Sequence, residues 1–209
     1  MKVVAFNGSP KKAGNTYHAI KMVAEELEKE GIEVEIVHVG DKRLKGCMGC
    51  NACVKNGSDK CIIADDEVND WIQKIIAADG VILASPVHFS GVGGVLKVFL
   101  DRAFYVGSSG FFRHKVGAAL AAVRRSGGLS TVQQLNSYIN YAEMMMPSSN
   151  YWNVIHGTAP GEVAQDEEGK QIMRVLGKNM AWLMRSLEAG KEVGKAPEAE
   201  NKVYTNFIR

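Results

Sequence analysis

Residues 3–16 pass from an apolar run into small and hydroxylic residues, and a helical pattern begins directly after them. This order predicts a β-strand, a loop and an α-helix. In an open parallel sheet, such a loop lies at the carboxyl end of the strand, and the next helix directs its first unpaired N–H groups into the crevice. The loop lacks both the Gly-x-Gly-x-x-Gly dinucleotide fingerprint and a Walker ending, so we expect a single phosphate. Ser9, Asn15 and Thr16 are the candidate donors, and an ordinary capped turn is the alternative.

Length and charge limit the classes of function. The 209 residues, 46% of them hydrophobic, suit one domain with a core on both faces of a sheet. The net charge of +2, with no long basic run, gives little support to nucleic-acid or membrane-surface binding and favours a small-molecule site. Met1 and Lys2 lead directly into a strand, and no apolar run reaches a membrane-spanning length, so we expect a cytoplasmic protein.

Apolar periodicity predicts five strands that alternate with five helices. The pattern matches a flavodoxin-like, doubly wound parallel α/β sheet of order 2-1-3-4-5, covered by helices on both faces. We expect one domain over residues 1–189, with a cysteine-rich loop at 45–62, followed by a polar tail at 190–209. The later strands are predicted at residues 32–39, 80–84, 115–123 and 149–155, and the helical stripes follow residues 16, 65, 94, 128 and 166.

All four cysteines lie in the loop after the second predicted strand. Cys47, Cys50 and Cys53 form C-x2-C-x2-C, and Cys61 follows after seven residues. Compact triple spacing of this kind is characteristic of [4Fe–4S] ligation, whereas structural zinc usually takes two separated pairs. Zinc, a thiol–disulfide pair and cysteines that bind nothing remain the alternatives.

Two further loops reach the predicted ligand edge of the sheet. Residues 85–94 contain Pro86 and three glycines, which permit close approach to a flat ring, although a plain crossover loop has the same composition. Residues 124–128 carry two arginines that either face the electron-rich side of a flavin or lie in solvent. Tyr151 and Trp152 are expected to fill the core rather than to cover a ring.

The combination of these motifs resembles the NAD(P)H-dependent FMN reductase superfamily. The motifs are Gly8–Thr16, Ser85–Phe89 and Arg125–Gly128, and with the cysteine loop they look most like the iron–sulfur flavoproteins. The resemblance implies FMN, with its phosphate surrounded by Ser9, Lys11, Asn15 and Thr16, and a [4Fe–4S] cluster on Cys47, Cys50, Cys53 and Cys61. It also implies an isoalloxazine ring bordered by Pro86, Val87, His88, Phe89, Arg125, Ser126, Gly127 and Gly128.

The resemblance implies an oxidoreductase. FMN would exchange electrons with NAD(P)H or a ferredoxin-like reduced carrier, and a cluster would relay them singly to a small-molecule or protein acceptor. No protein acid or base needs to be assigned, and a homodimer or homotetramer is expected. A cluster-free NAD(P)H-dependent FMN or quinone reductase and a non-enzymatic electron carrier are the alternatives.

Overall fold

The computed structural model describes residues 1–208 and contains one central sheet. Its strands alternate with helices along the chain, as the periodicity predicts. The strands are β1 (Lys2–Asn7), β2 (Glu33–His38), β3 (Gly80–His88), β4 (Gly91–Val92), β5 (Val116–Val123) and β6 (Val154–His156). The α-helices are α1 (Asn15–Lys29), α2 (Ala52–Lys55), α3 (Val68–Ala77), α4 (Gly94–Gly107), α5 (Gly128–Tyr141) and α6 (Glu167–Val193), and a 3-10 helix spans Glu162–Gln165.

Five of the six strands run parallel, in the order β2-β1-β3-β5-β6. When the parallel strands are counted along the chain, this is the predicted flavodoxin-like order 2-1-3-4-5, which is therefore confirmed. The additional strand β4 pairs antiparallel with the end of β3 and forms a short ribbon. β2 lies at one edge of the sheet, as its alternating sequence predicts.

Helices cover both faces of the sheet and make two separate cores. On one face, Phe99 packs against Phe6 and Trp71, with ring centroids 4.7 and 5.2 Å apart. On the other face, α1 packs on α6, where a Cβ on Gly177 would lie 2.7 Å from the Val23 carbonyl oxygen. This glycine therefore lets the two helices approach closely.

Three local features differ from the sequence expectations. The last strand is shorter than predicted, since only residues 154–156 pair with β5. The cysteine loop contains the one-turn helix α2. Helix α6 begins at its Asp166 N-cap, as predicted, but continues through Val193, so the first residues of the expected tail are helical.

The remaining C-terminal segment lies partly against the body of the domain. The Lys202 ammonium group lies 4.2 Å from the centroid of the Tyr141 ring. None of the helices within residues 1–208 has both the length and the apolarity needed to cross a membrane.

Gly40 is required by a close approach between the end of β2 and the loop after β1. A Cβ at this position would lie 2.2 Å from the Ser9 carbonyl oxygen. Backbone atoms cannot move aside without breaking the pairing that follows β1, so we expect Gly40→Ala to lower the free energy of unfolding by about 1–3 kcal/mol. Urea denaturation measures this change.

Gly94→Ala is the matched control, because a Cβ at this first residue of α4 meets open space. It is expected to leave stability unchanged or to raise it by about 0.4–1 kcal/mol. Equal stability of the two variants would contradict the steric account of Gly40.

Candidate functional site

The loops that follow the parallel strands surround an open cavity of about 230 Å³ at the carboxyl edge of the sheet. It lies at the amino end of α1, where Gly14 occupies the N-cap and offers no side chain to the first N–H groups. The lining residues are Ser9, Pro10, Lys11, Gly14, Asn15, Thr16, Pro86, Val87, His88, Ala122, Val123, Arg124, Gly157, Thr158 and Pro160.

Local hydrogen bonds give the first loop its shape. The Asn7 Oδ1 atom accepts the Ser9 N–H at 3.1 Å, and Ser9 Oγ accepts the Lys11 N–H at the same distance. His38, at the end of β2, places Nε2 2.7 Å from the Ser9 carbonyl oxygen. Ser9 and Thr16 are buried beneath the cavity, whereas Lys11 is exposed at its rim. The loop is therefore held by both neighbouring strands.

Asn15 joins the first loop to the loop after β6. Its Oδ1 atom accepts the Gly161 N–H at 2.8 Å. Nearby, a Glu162 carboxylate oxygen accepts the N–H groups of Thr158 and Ala159 at 2.6 and 2.8 Å, and these bonds lower the pKa of Glu162. The negative charge of Glu162 is thus satisfied by its own loop.

The end of β3 provides another wall of the cavity, because residues 85–88, predicted as part of a loop, continue the strand. Pro86, Val87 and His88 line it, but the Phe89 side chain is fully exposed. Phe89 and Ser90 have φ values of 49° and 59°, and they connect β3 to β4 in a tight turn. Positive φ at both central residues is typical of type I′ hairpins, which usually carry Asn or Gly there. This turn could therefore not be predicted from the residue types.

The arginine loop after β5 divides between two cavities. Arg124 lines the first cavity, whereas residues 125–128 line a neighbouring one of about 250 Å³. Val123 lies in both, so the two are contiguous. Gly127 has a φ of 88°, and a Cβ there would lie 2.8 Å from Ser90, so this glycine lets the loops after β3 and β5 touch.

The expectation that Tyr151 and Trp152 fill the core is wrong. Their exposed fractions are 61% and 55%, and both line the cavity that contains Arg125–Gly128. They precede the short β6, so they lie on the connection over the sheet edge instead of within it. The loop 157–161 also contributes to the first cavity, and its position after the last strand was the available sequence signal.

The cysteine loop lies against α3 and α4. Cys47 and Cys50 are exposed, Cys53 is buried, and Cys61 is half-buried. Burial raises the pKa of the Cys53 thiol, and the nearby Cys61 and Cys47 add to this effect. Within residues 1–208, no three Cys, His, Asp or Glu side chains converge closely enough to hold a metal ion.

Comparisons with known proteins agree with this architecture. The family model described as NADPH-dependent FMN reductase matches residues 1–159. An iron–sulfur flavoprotein of Methanocaldococcus jannaschii is 36% identical over 195 residues, which cover 90% of this chain and 100% of that protein. An NADPH azoreductase of a Bacillus species is 32% identical over 138 residues, or 66% of each chain.

The crystal structure of a WrbA-like flavodoxin from Agrobacterium tumefaciens has the same fold. It aligns with a TM-score of 0.61 and 18% identity, over 88% of this chain and 97% of that one. The chain therefore belongs to the NADPH-dependent FMN reductase family of FMN oxidoreductases and, within it, groups with the iron–sulfur flavoproteins.

Proposed function

We propose that this oxidoreductase passes electrons between a nicotinamide or a reduced carrier and an acceptor, through FMN and a [4Fe–4S] cluster. The cluster ligands would be Cys47, Cys50, Cys53 and Cys61. The observation that carries the FMN part is the convergence of the loops after β1, β3, β5 and β6 on one cavity at the amino end of α1.

The amino end of α1 suits the phosphate of FMN. The first N–H groups of the helix have no intrahelical acceptor, and the helix dipole favours an anion there. Ser9, Asn15 and Thr16 would add side-chain donors, and Lys11 a positive charge. Because backbone N–H groups hold the Glu162 carboxylate, its charge is partly compensated beside the bound phosphate.

The isoalloxazine ring would lie along the two contiguous cavities. The proposed borders are Pro86, Val87, His88 and Phe89 on the β3 side and Arg125, Ser126, Gly127 and Gly128 on the β5 side. When bound, FMN supplies both two-electron and one-electron redox chemistry. The protein would bind its phosphate, orient its ring, and place the positive charges of Arg124 and Arg125 where negative charge increases on reduction.

The cysteine loop fits an iron–sulfur cluster in its donor set and only partly in its arrangement. Four thiols in one segment are the ligands that such clusters require. Cys53 and Cys61 already lie near one another on the domain, whereas Cys47 and Cys50 stay exposed.

Exposed aromatic side chains at the site support assembly into a dimer or tetramer. Phe89, Tyr151 and Trp152 border the proposed ring site and are more than half exposed. Large aromatic surface of this kind commonly marks a protein or ligand contact.

A cluster-free NADPH-dependent reductase is the second candidate. Two observations favour it: within residues 1–208 no three cysteines converge on a metal site, and the similar azoreductase is named for NADPH-dependent activity.

Iron and flavin analysis of anaerobically purified protein separates the two candidates. We expect one FMN and about four iron atoms per chain, because a [4Fe–4S] cluster holds four irons. Cys50→Ser is expected to lose the iron and the broad visible absorption of the cluster but to retain FMN, since the FMN site lies on other loops. Ser58→Ala, in the same loop, is the control that keeps both. Iron-free protein that oxidises NADPH steadily would select the second candidate.

The proposed phosphate site is tested by the side chain of Thr16. Thr16→Val removes one hydroxyl donor without a large change in volume. We expect FMN to bind about 10- to 150-fold more weakly, since a hydrogen bond to a charged group contributes about 1.5–3 kcal/mol. Riboflavin, which lacks the phosphate, should bind equally well to the variant and the unmodified protein.

Flavin fluorescence quenching measures both affinities. Thr205→Val in the exposed C-terminal segment is the matched control and should bind FMN normally. Equal weakening of FMN and riboflavin binding by Thr16→Val would place the phosphate elsewhere.

A further inference from the structure

Arg102 is a buried cation that the proposed FMN site does not use. It lies near the middle of α4, and its side chain has no exposed surface. Arginine is almost never fully buried unless its charge is paired and its N–H groups find acceptors. Its contacts therefore indicate what it does in this protein.

Those contacts are the two ends of the cysteine loop. Arg102 Nη1 donates to the Lys45 carbonyl oxygen at 3.3 Å, and Nη2 donates to the Ile63 carbonyl oxygen at 2.8 Å. All four cysteines lie between these two carbonyl groups. One side chain thus joins the entrance and the exit of the segment that would hold the cluster.

A second side chain, that of Asn69, holds Cys61 near the exit of the loop. Asn69 Oδ1 accepts the Cys61 N–H at 2.8 Å, and Asn69 Nδ2 donates to the Cys61 carbonyl oxygen at 3.0 Å. The backbone of Cys61 is therefore held through both its N–H group and its carbonyl oxygen.

The N–H donors of Arg102 are only partly used. Its Nη1 atom pairs with the buried Asp66 carboxylate, and Cys61 lies two residues before Ile63, whose carbonyl oxygen accepts from Nη2. Within residues 1–208, the buried Nε–H has no hydrogen-bond acceptor. A guanidinium carries five N–H donors, so donor capacity remains unused at this buried site.

We propose that Arg102 is the positioning residue of the cysteine loop, which closes the loop at residues 45 and 63 and offers N–H donors and positive charge to the sulfur of Cys61. The inference rests on the proposed function, in which Cys61 is a cluster ligand. Hydrogen bonds to ligand sulfurs and nearby charge are among the factors that set the potential of iron–sulfur clusters. A donor and a cation at Cys61 favour the reduced, more negative state.

The test compares Arg102→Gln with Arg102→Lys and with the double variant Arg102→Met/Asp66→Leu. The double variant removes the buried pair without leaving an uncompensated carboxylate, so it protects the test against misfolding. Arg185→Gln is the control, because Arg185 is half exposed and pairs with Glu30 far from the loop in sequence. Bound FMN, read from its visible spectrum, reports that each variant is folded.

Amide hydrogen exchange of residues 46–62 in the purified protein measures how often the loop opens. We expect exchange at least tenfold faster in all three Arg102 variants, since none retains the forked guanidinium that donates to both carbonyl groups. The Arg185→Gln protein should exchange at the unmodified rate. Unchanged exchange in folded Arg102 variants would overturn the closing role.

Redox titration of the iron-loaded proteins reads the effect at Cys61. We expect Arg102→Gln to shift the one-electron reduction equilibrium about tenfold toward the oxidised cluster, which is about 59 mV, and Arg102→Lys to restore part of the shift through its charge. The double variant removes both charges of the pair, so its shift should be smaller and should report the loss of the N–H donors alone. If Arg102→Gln has the same cluster reduction potential as the unmodified protein, the proposed role of Arg102 at Cys61 is wrong. If the unmodified protein binds no iron, both the proposed cluster and the role of Arg102 at Cys61 are wrong. The exchange experiment would still test whether Arg102 holds the two ends of the loop together.

Discussion

Parallel pairing of β1 with β3 is the constraint on which the rest of the structure depends. Both strands end at the same edge, and the Gly8 N–H continues the pairing by donating to the Ala84 carbonyl oxygen at 2.9 Å. The loop after β1 therefore begins beside the last four residues of β3, and α1 starts at the resulting crevice. In open α/β sheets, this carboxyl edge is where ligands bind. The proposed FMN site is thus a consequence of topology before it is a consequence of any single side chain.

The sequence predicted the elements with strong periodicity and the loops between them. Buried strands and long amphipathic helices carry their own pattern, so the order of the sheet and the helix α6 could be derived without contacts. The Phe89–Ser90 turn could not, because its residues do not favour the positive φ that both adopt. The exposure of Tyr151 and Trp152 could not be predicted either, since an aromatic pair gives the same sequence pattern in a strand and in a connection.

Side-chain contacts between segments that are distant in the chain could not be predicted from the sequence either. Asn15 was predicted as a phosphate donor from its place at a helix start, but its bond to Gly161 spans 146 residues. Arg102 contacts Lys45, Ile63 and Asp66 across 57, 39 and 36 residues. Periodicity reports which face of an element is apolar and carries no information about such partners. Only the fold shows that a charged residue on α4 belongs to the cysteine loop.

Helix α4 connects the two candidate centres. Its N-cap Gly93 donates its N–H to Ser85 Oγ at 2.9 Å, on β3 and next to Pro86, which lines the proposed FMN cavity. Arg102 follows eight residues after the first helical residue, Gly94, or about 12 Å along the axis. Since Phe99 and Leu100 are fully buried between these points, the helix cannot shift one end without the other. The spacing between the proposed flavin site and the cysteine loop is therefore fixed by one rigid, packed element, as the proposed electron transfer between FMN and a cluster would require.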